Sequence, residues 1–196
     1  MTRRNTRGEH TRARLVDAAL RSFAAKGFHG TGTRDIAEAA GMSQAAVYVH
    51  YTTKEELLYQ LTLDGHRAVE AAVVQAVRGV KGPVEQLRTF VRAFTVWHAH
   101  EHTLARVIQY EMGALSEEHV GEIATLRRGI EHRLRRIVAA GVRQGEFTVP
   151  DPKVATRAVL SLGIDVARWY RDDGAWTPEQ LGEHYAVLAL QLVRSG

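Results

Sequence analysis

The chain has 196 residues, 45% of them hydrophobic and 24% charged, with no cysteine and a formal net charge of +4. That is enough apolar material for one compact domain plus a smaller appended one, and it excludes disulfides and thiolate metal sites. No apolar run reaches membrane-spanning length, and the basic start MTRRNTRGEHTRAR leads into a stretch interrupted by Arg21 and Lys26, so a cytoplasmic protein without a membrane partner is expected.

The charge is placed unevenly. Through Lys54 nine basic residues stand against four acidic ones, a balance of +5, whereas the rest of the chain carries −1. Positive potential therefore gathers in the first quarter of the sequence, as a phosphate-binding surface requires. In that quarter Leu15, Ala18, Ala19, Ser22 and Phe23 recur at helical spacing and predict a helix closing at Lys26-Gly27. Thr33 is placed to cap a short second helix with Ile36, Ala37 and Ala40 on its apolar face. Gly41 then supplies the positive φ that a helix-turn-helix needs. Ser43 is placed to cap a third helix that buries Ala46 or Val47 and turns Gln44, Ala45, Tyr48 and Val49 outward.

A short helix with small residues near its start and an aromatic on its outer side suits the major groove of DNA. Gln44 is the candidate reader of a base edge, since its amide can pair with adenine in a bidentate way, and Val49 can meet a thymine methyl. Arg34 suits a phosphate or solvent equally. Arg3, Arg4 and Arg7 suit a minor-groove arm or an arm with no fixed contact.

The stretch from Thr31 to Leu57, TGTRDIAEAAGMSQAAVYVHYTTKEEL, resembles the DNA-binding motif of TetR-type transcriptional regulators. The matching residues are Thr33, Ile36, Ala37, Ala40, Gly41, Met42, Ser43, Val47, Tyr48, His50, Lys54, Glu55 and Leu57. Ala45 departs from a common glycine and Tyr51 from a phenylalanine. The resemblance implies an all-α fold: an N-terminal three-helix DNA-binding domain, residues 1–53, joined to a larger helical domain, residues 54–196, for effector binding and dimerisation. It also implies that Tyr48, His50 and Lys54 contact phosphates, with the helix starts at Thr33 and Ser43 close by.

Beyond Thr53, which opens a capping box with Glu56, a helix is predicted to run to about Gly79 and to link the two parts mechanically. Val84, Leu87, Phe90, Val91, Phe94 and Trp97 form the next apolar stripe, followed by Leu104, Val107, Ile108 and Met112. Ser116 caps a long helix closed by Gly145. Asp151-Pro152 and Thr177-Pro178 each set a capping residue before a proline, opening helices of about 153–171 and 179–194. Both are apolar on more than one face, so a second copy of the chain is expected to cover them as an isologous four-helix bundle.

For an effector the second domain offers Phe90, Phe94, Trp97, Tyr110, Glu111, Arg168, Trp169 and Arg171, aromatic walls with a few polar groups that a core would also use. The tract from Gly163 to Tyr185, with its Arg168-Trp169-Tyr170-Arg171 segment, resembles TetR-like regulators of lipid and steroid catabolism. That resemblance implies an acyl-CoA thioester as candidate effector, with Arg168 and Arg171 on its phosphates and Trp169 as a stacking face. His98, His100 and His102 lack the companions a metal would need and are expected to mark an exposed helix end, without metal or cofactor. The expected function is a ligand-responsive, homodimeric repressor released from a palindromic operator. An effector-independent architectural protein and an activator are the other readings, and no catalytic constellation points to an enzyme.

Overall fold

The computed structural model describes the backbone from Arg3 to Arg194 and the side chains from Gly8 to Arg194. Among these residues the chain is helical throughout: α1 (Arg3–Lys26), α2 (Thr33–Ala39), α3 (Gln44–His50), α4 (Lys54–Val77), α5 (Pro83–His100), α6 (His102–Glu111), α7 (Glu117–Arg143), α8 (Pro152–Trp169) and α9 (Pro178–Arg194). Mutual contact groups the residues into two units, Met1–Gly65 with Arg106–Ile123 and His66–Ala105 with Ala124–Gly196. The first unit therefore takes in the start of α4, the end of α6 and the start of α7. The side chains of Arg3, Arg4 and Arg7 lie outside the described residues.

In the first unit the apolar stripe of α1 does what its spacing predicts. Leu15, Ala18, Ala19 and Phe23 are buried with Ile36 and Ala37 of α2, Val47 of α3, and Leu57 and Leu58 of α4. Gly41 adopts φ +63°. Its amide donates to the Glu38 carbonyl and the Met42 amide to that of Ala37, each at 2.9 Å, closing α2 in the left-handed cap pattern that satisfies its last carbonyls. Arg14 of α1 donates to the Ala40 carbonyl at 2.7 Å and braces the same turn.

Thr33 is the first helical residue of α2 rather than its cap. The cap position falls on Gly32, whose amide donates to the Asp35 carboxylate at 2.7 Å. The Lys26 ammonium holds the same carboxylate at 2.7 Å, and these bonds to Lys26 and Gly32 lower the Asp35 pKa. At α4 the capping box forms in a shifted version: the Glu56 amide donates to Thr53 Oγ1 at 3.1 Å, while the Glu56 carboxylate accepts from the Thr52 amide. Glu55 reaches the start of α7, where its carboxylate accepts from the Ser116 amide at 2.9 Å and pairs with His119 Nδ1 at 2.7 Å. Tyr59 stacks on the His119 ring, centroids 3.7 Å apart, and its hydroxyl bonds Glu122.

The second unit is built around α5, which packs along α9 and α8. Leu87, Phe90, Val91 and Phe94 meet Val69 and Val73 of α4, Leu134 and Val138 of α7, Val159 of α8, and Ala189 and Leu190 of α9 in one buried core. Gly163 lets α8 approach closely, since a Cβ there would lie 2.6 Å from Phe94 Cδ1. Asp151 caps α8 by accepting from the Lys153 amide, and Thr177 caps α9 by accepting from the Gln180 amide. Helix α8 stops at Trp169, two residues short of the expected end, because Tyr170 takes ψ 143° and leaves the helix. Val154, Leu162, Val187 and Leu188 stay exposed on α8 and α9. No described helix is long and apolar enough to cross a membrane.

Candidate nucleic-acid interface

Helix α3 carries the expected division of faces. Ser43 Oγ caps it by accepting from the Ala46 amide at 3.2 Å, Val47 is buried at 1% exposure, and Tyr48 and Val49 stand out at 50% and 79%. Gln44 and Ala45 share the exposed side and His50 is half-buried at the helix end. Val49 is thereby free to make apolar contact with a partner surface, such as a thymine methyl.

Thr33 sits beside this face and organises it. Its Oγ1 accepts a hydrogen bond from Gln44 Nε2 at 3.0 Å and shares another with the Tyr48 hydroxyl at 3.2 Å. The Gln44 amide is thereby held by one of its two N–H bonds, leaving its Oε1 and second N–H for a base edge. Arg34 is exposed next to these residues in sequence.

Lys54, expected at a phosphate, also has partners within the protein. Its Nζ donates to the carbonyls of Phe28 at 2.8 Å and Thr31 at 2.9 Å and lies 4.3 Å from the Phe28 ring centroid. Two of its three N–H bonds thus tie the start of α4 to the turn between α1 and α2. No local pattern signals this, because the carbonyl acceptors belong to a loop brought there by the fold.

The candidate effector residues are divided between the two units. Tyr110 and Glu111 belong to the first unit, where Tyr110 is exposed and a Glu111 carboxylate oxygen lies near Gly27. In the second unit Phe90 and Phe94 are core residues at 0% and 5% exposure, and Trp97 packs against the same core. Arg168 is locked to Asp165 through Nε at 2.7 Å and Nη2 at 3.0 Å, which lowers the Asp165 pKa. Arg171 donates to the Tyr170 carbonyl at 2.8 Å. Trp169 packs against Val166, Tyr170 and Leu181. A cavity of about 530 Å³ opens elsewhere in this unit, between the end of α4, the start of α5 and α7, with Val77, Gln86, His132, Arg133, Arg136 and Arg143 in its wall. These α7 arginines belong to no recognisable motif, although the spacing of three and seven residues between Arg133, Arg136 and Arg143 puts them on one helix face.

The three histidines part ways. His98 is buried rather than exposed: its Nδ1 bonds the Phe94 carbonyl at 2.8 Å and its ring packs on Phe94 and Trp97. Burial lowers its pKa to about 4, against the opposing effect of the Phe94 carbonyl. His100 pairs with Glu179 at 3.1 Å, and His102 bonds the Ala99 carbonyl.

The fold and the exposed face of α3 define a class: a helix-turn-helix protein with a larger helical second part. The model of the bacterial regulatory proteins of the tetR family matches residues 15–61, and that of the tetracyclin repressor-like C-terminal domain matches residues 80–193. The chain belongs to the TetR family of transcriptional regulators, which are DNA-binding proteins and not enzymes. A tetR-family regulatory protein from Rhodococcus RHA1 is 42% identical, with 94% of this chain and 97% of that one covered and a TM-score of 0.89. The transcriptional repressor KstR2 of Mycobacterium tuberculosis is 27% identical over 91% of this chain and 90% of its own. The fold is also that of AibR, solved with isovaleryl coenzyme A and operator DNA, at 24% identity, 91% and 97% coverage and a TM-score of 0.83.

Proposed function

We propose that the protein is a homodimeric repressor whose α3 helices read the two halves of a palindromic operator, and whose hold on DNA is released by a small-molecule effector. The single observation that carries the DNA-reading role is the bare α3 face, Gln44, Ala45, Tyr48 and Val49, within a first quarter of the chain rich in positive charge. Within it Gln44 and Val49 read base edges; Tyr48, His50, Thr33, Arg34 and the Ser43 end of α3 position the backbone. The parts expected at residues 1–53 and 54–196 divide the labour between reading and sensing, except that residues 106–123 group with the reading part. Exposed Leu162, Val187 and Leu188 support α8 and α9 as the pairing surface. Likeness to the repressor KstR2 supports repression, and AibR, which shares the fold and was solved with isovaleryl coenzyme A, supports an acyl-CoA-type effector.

The test is selection of bound sequences from random duplexes, followed by affinity measurement at several salt concentrations. A palindrome with half-sites about one helical turn apart is expected. Gln44→Ala should lose about 1–3 kcal/mol of discrimination at one base pair per half-site and leave the others alone. An unaltered preference would remove Gln44 from the reading surface, and indifference to every duplex at low salt would remove the function.

A further inference from the structure

We infer that the arginine stripe of α7, Arg133, Arg136 and Arg143, holds the phosphate-bearing end of the effector; this rests on the ligand-responsive reading above. All three arginines line the wall of the 530 Å³ cavity in the second unit, with Gln86 and the apolar Val77 and Ile137 beside them. That volume lies within the range of small-molecule sites. None of the ion pairs among the described residues includes any of the three. Arg133 Nε is fully shielded from solvent and has no hydrogen-bond partner. A shielded donor without an acceptor is costly, and three like charges on one helix face repel one another. An anion in the cavity answers both.

The neighbouring groups fit an anion as well. Gln86 Nε2 is fixed on the Val80 carbonyl, so its side chain is held in the wall. Arg135, one residue from the stripe, turns instead to His132 Nδ1 at 3.1 Å. Glu70 comes near the wall at Gly129, where a Cβ would lie 3.4 Å from its Oε1, and none of the ion pairs among the described residues joins it to the stripe. The expected phosphate partners, Arg168 and Arg171, are by contrast occupied by Asp165 and the Tyr170 carbonyl. Guanidinium forks recognise phosphate in a bidentate way, and Val77 and Ile137 suit the less polar continuation of the same molecule.

A phosphate ester of this kind can be a coenzyme A thioester or a free nucleotide, and calorimetry on the full-length protein separates them. The probes are coenzyme A, pantetheine, which lacks every phosphate, and adenosine 3′,5′-bisphosphate. Coenzyme A should bind at least about tenfold more tightly than pantetheine, and Arg133→Met and Arg143→Gln should each erase most of that margin. Equal weakening of the bisphosphate by these variants would support the stripe with a nucleotide as its natural source. Arg136→Gln, at an exposed position, gives the same answer should Arg133→Met fail to fold. Pantetheine binding as well as coenzyme A, no binding of either phosphate probe, or folded variants that keep the margin would each overturn the proposal. Operator binding by the same preparation is measured in parallel. Protein that grips DNA but ignores both phosphate probes sinks this inference alone, whereas protein that binds coenzyme A but no duplex sinks the regulator.

Discussion

Single residues in this molecule are committed by their partners more than by their type. Lys54 looks like a free cation in the sequence, yet its ammonium fastens two loop carbonyls and an aromatic ring. Lys54→Met should cost about 1–2 kcal/mol of stability, seen in thermal melting, because two acceptors lose their donor. If that is its role, the slope of log affinity against log salt should keep its wild-type value. A phosphate contact would instead lower the slope by about one. His98 makes the converse point. It is buried and neutral, with a folded pKa of about 4 against roughly 6.5 in the unfolded chain. The unfolded state therefore binds the extra proton between those values, and stability should fall as pH drops from about 6.5 to 4, by about 3 kcal/mol in all. His98→Gln, with an amide to meet the Phe94 carbonyl, should flatten that part of a denaturation-versus-pH curve; an unchanged curve would assign the loss to other groups.

At the scale of elements the sequence was most readable where a local rule acts alone. Ser43, Asp151 and Thr177 each cap the helix their position announced, and Gly41 has the positive φ its turn requires. It was least readable where tertiary contact decides. Thr33 lost its capping role to Gly32 and Asp35 and became the hub that holds Gln44 and Tyr48. Phe90 and Phe94 could line a space or fill one with the same periodicity, and only the packing of α5 on α8 and α9 shows that they fill it. The arginines of α7 carried no motif at all; their meaning comes from the cavity beside them. Close helix packing also sets glycines apart. Gly163→Ala drives a Cβ into the Phe94 ring and should lower stability by about 1–3 kcal/mol. Gly121→Ala meets nothing within 4 Å in α7 and should raise it by about 0.5–1 kcal/mol. Chemical denaturation of the two variants checks the contrast, and equal effects would mean that α8 yields to the added methyl.

For the whole molecule the proposed pairing surface is the point of leverage. Leu188 is 47% exposed on α9, so a charge there leaves the folded chain intact while disfavouring an apolar interface. Leu188→Glu should therefore sediment as a monomer at micromolar concentration and lose most of its operator affinity while keeping its helical signal. A variant that stays dimeric would move the interface away from this part of α9. Loss of affinity follows from losing the second recognition helix rather than from any change in α3.

The composition of the DNA-reading unit has a practical corollary for protein engineers. Because Glu55 and Tyr59 close upon Ser116, His119 and Glu122, the reader includes a splint drawn from far downstream. A gene fragment ending at codon 65 would encode the recognition helix but strand both side chains in water. Chimaeras that graft this reader onto another sensor should therefore transplant residues 106–123 along with it, or rebuild the splint from the recipient's own helices.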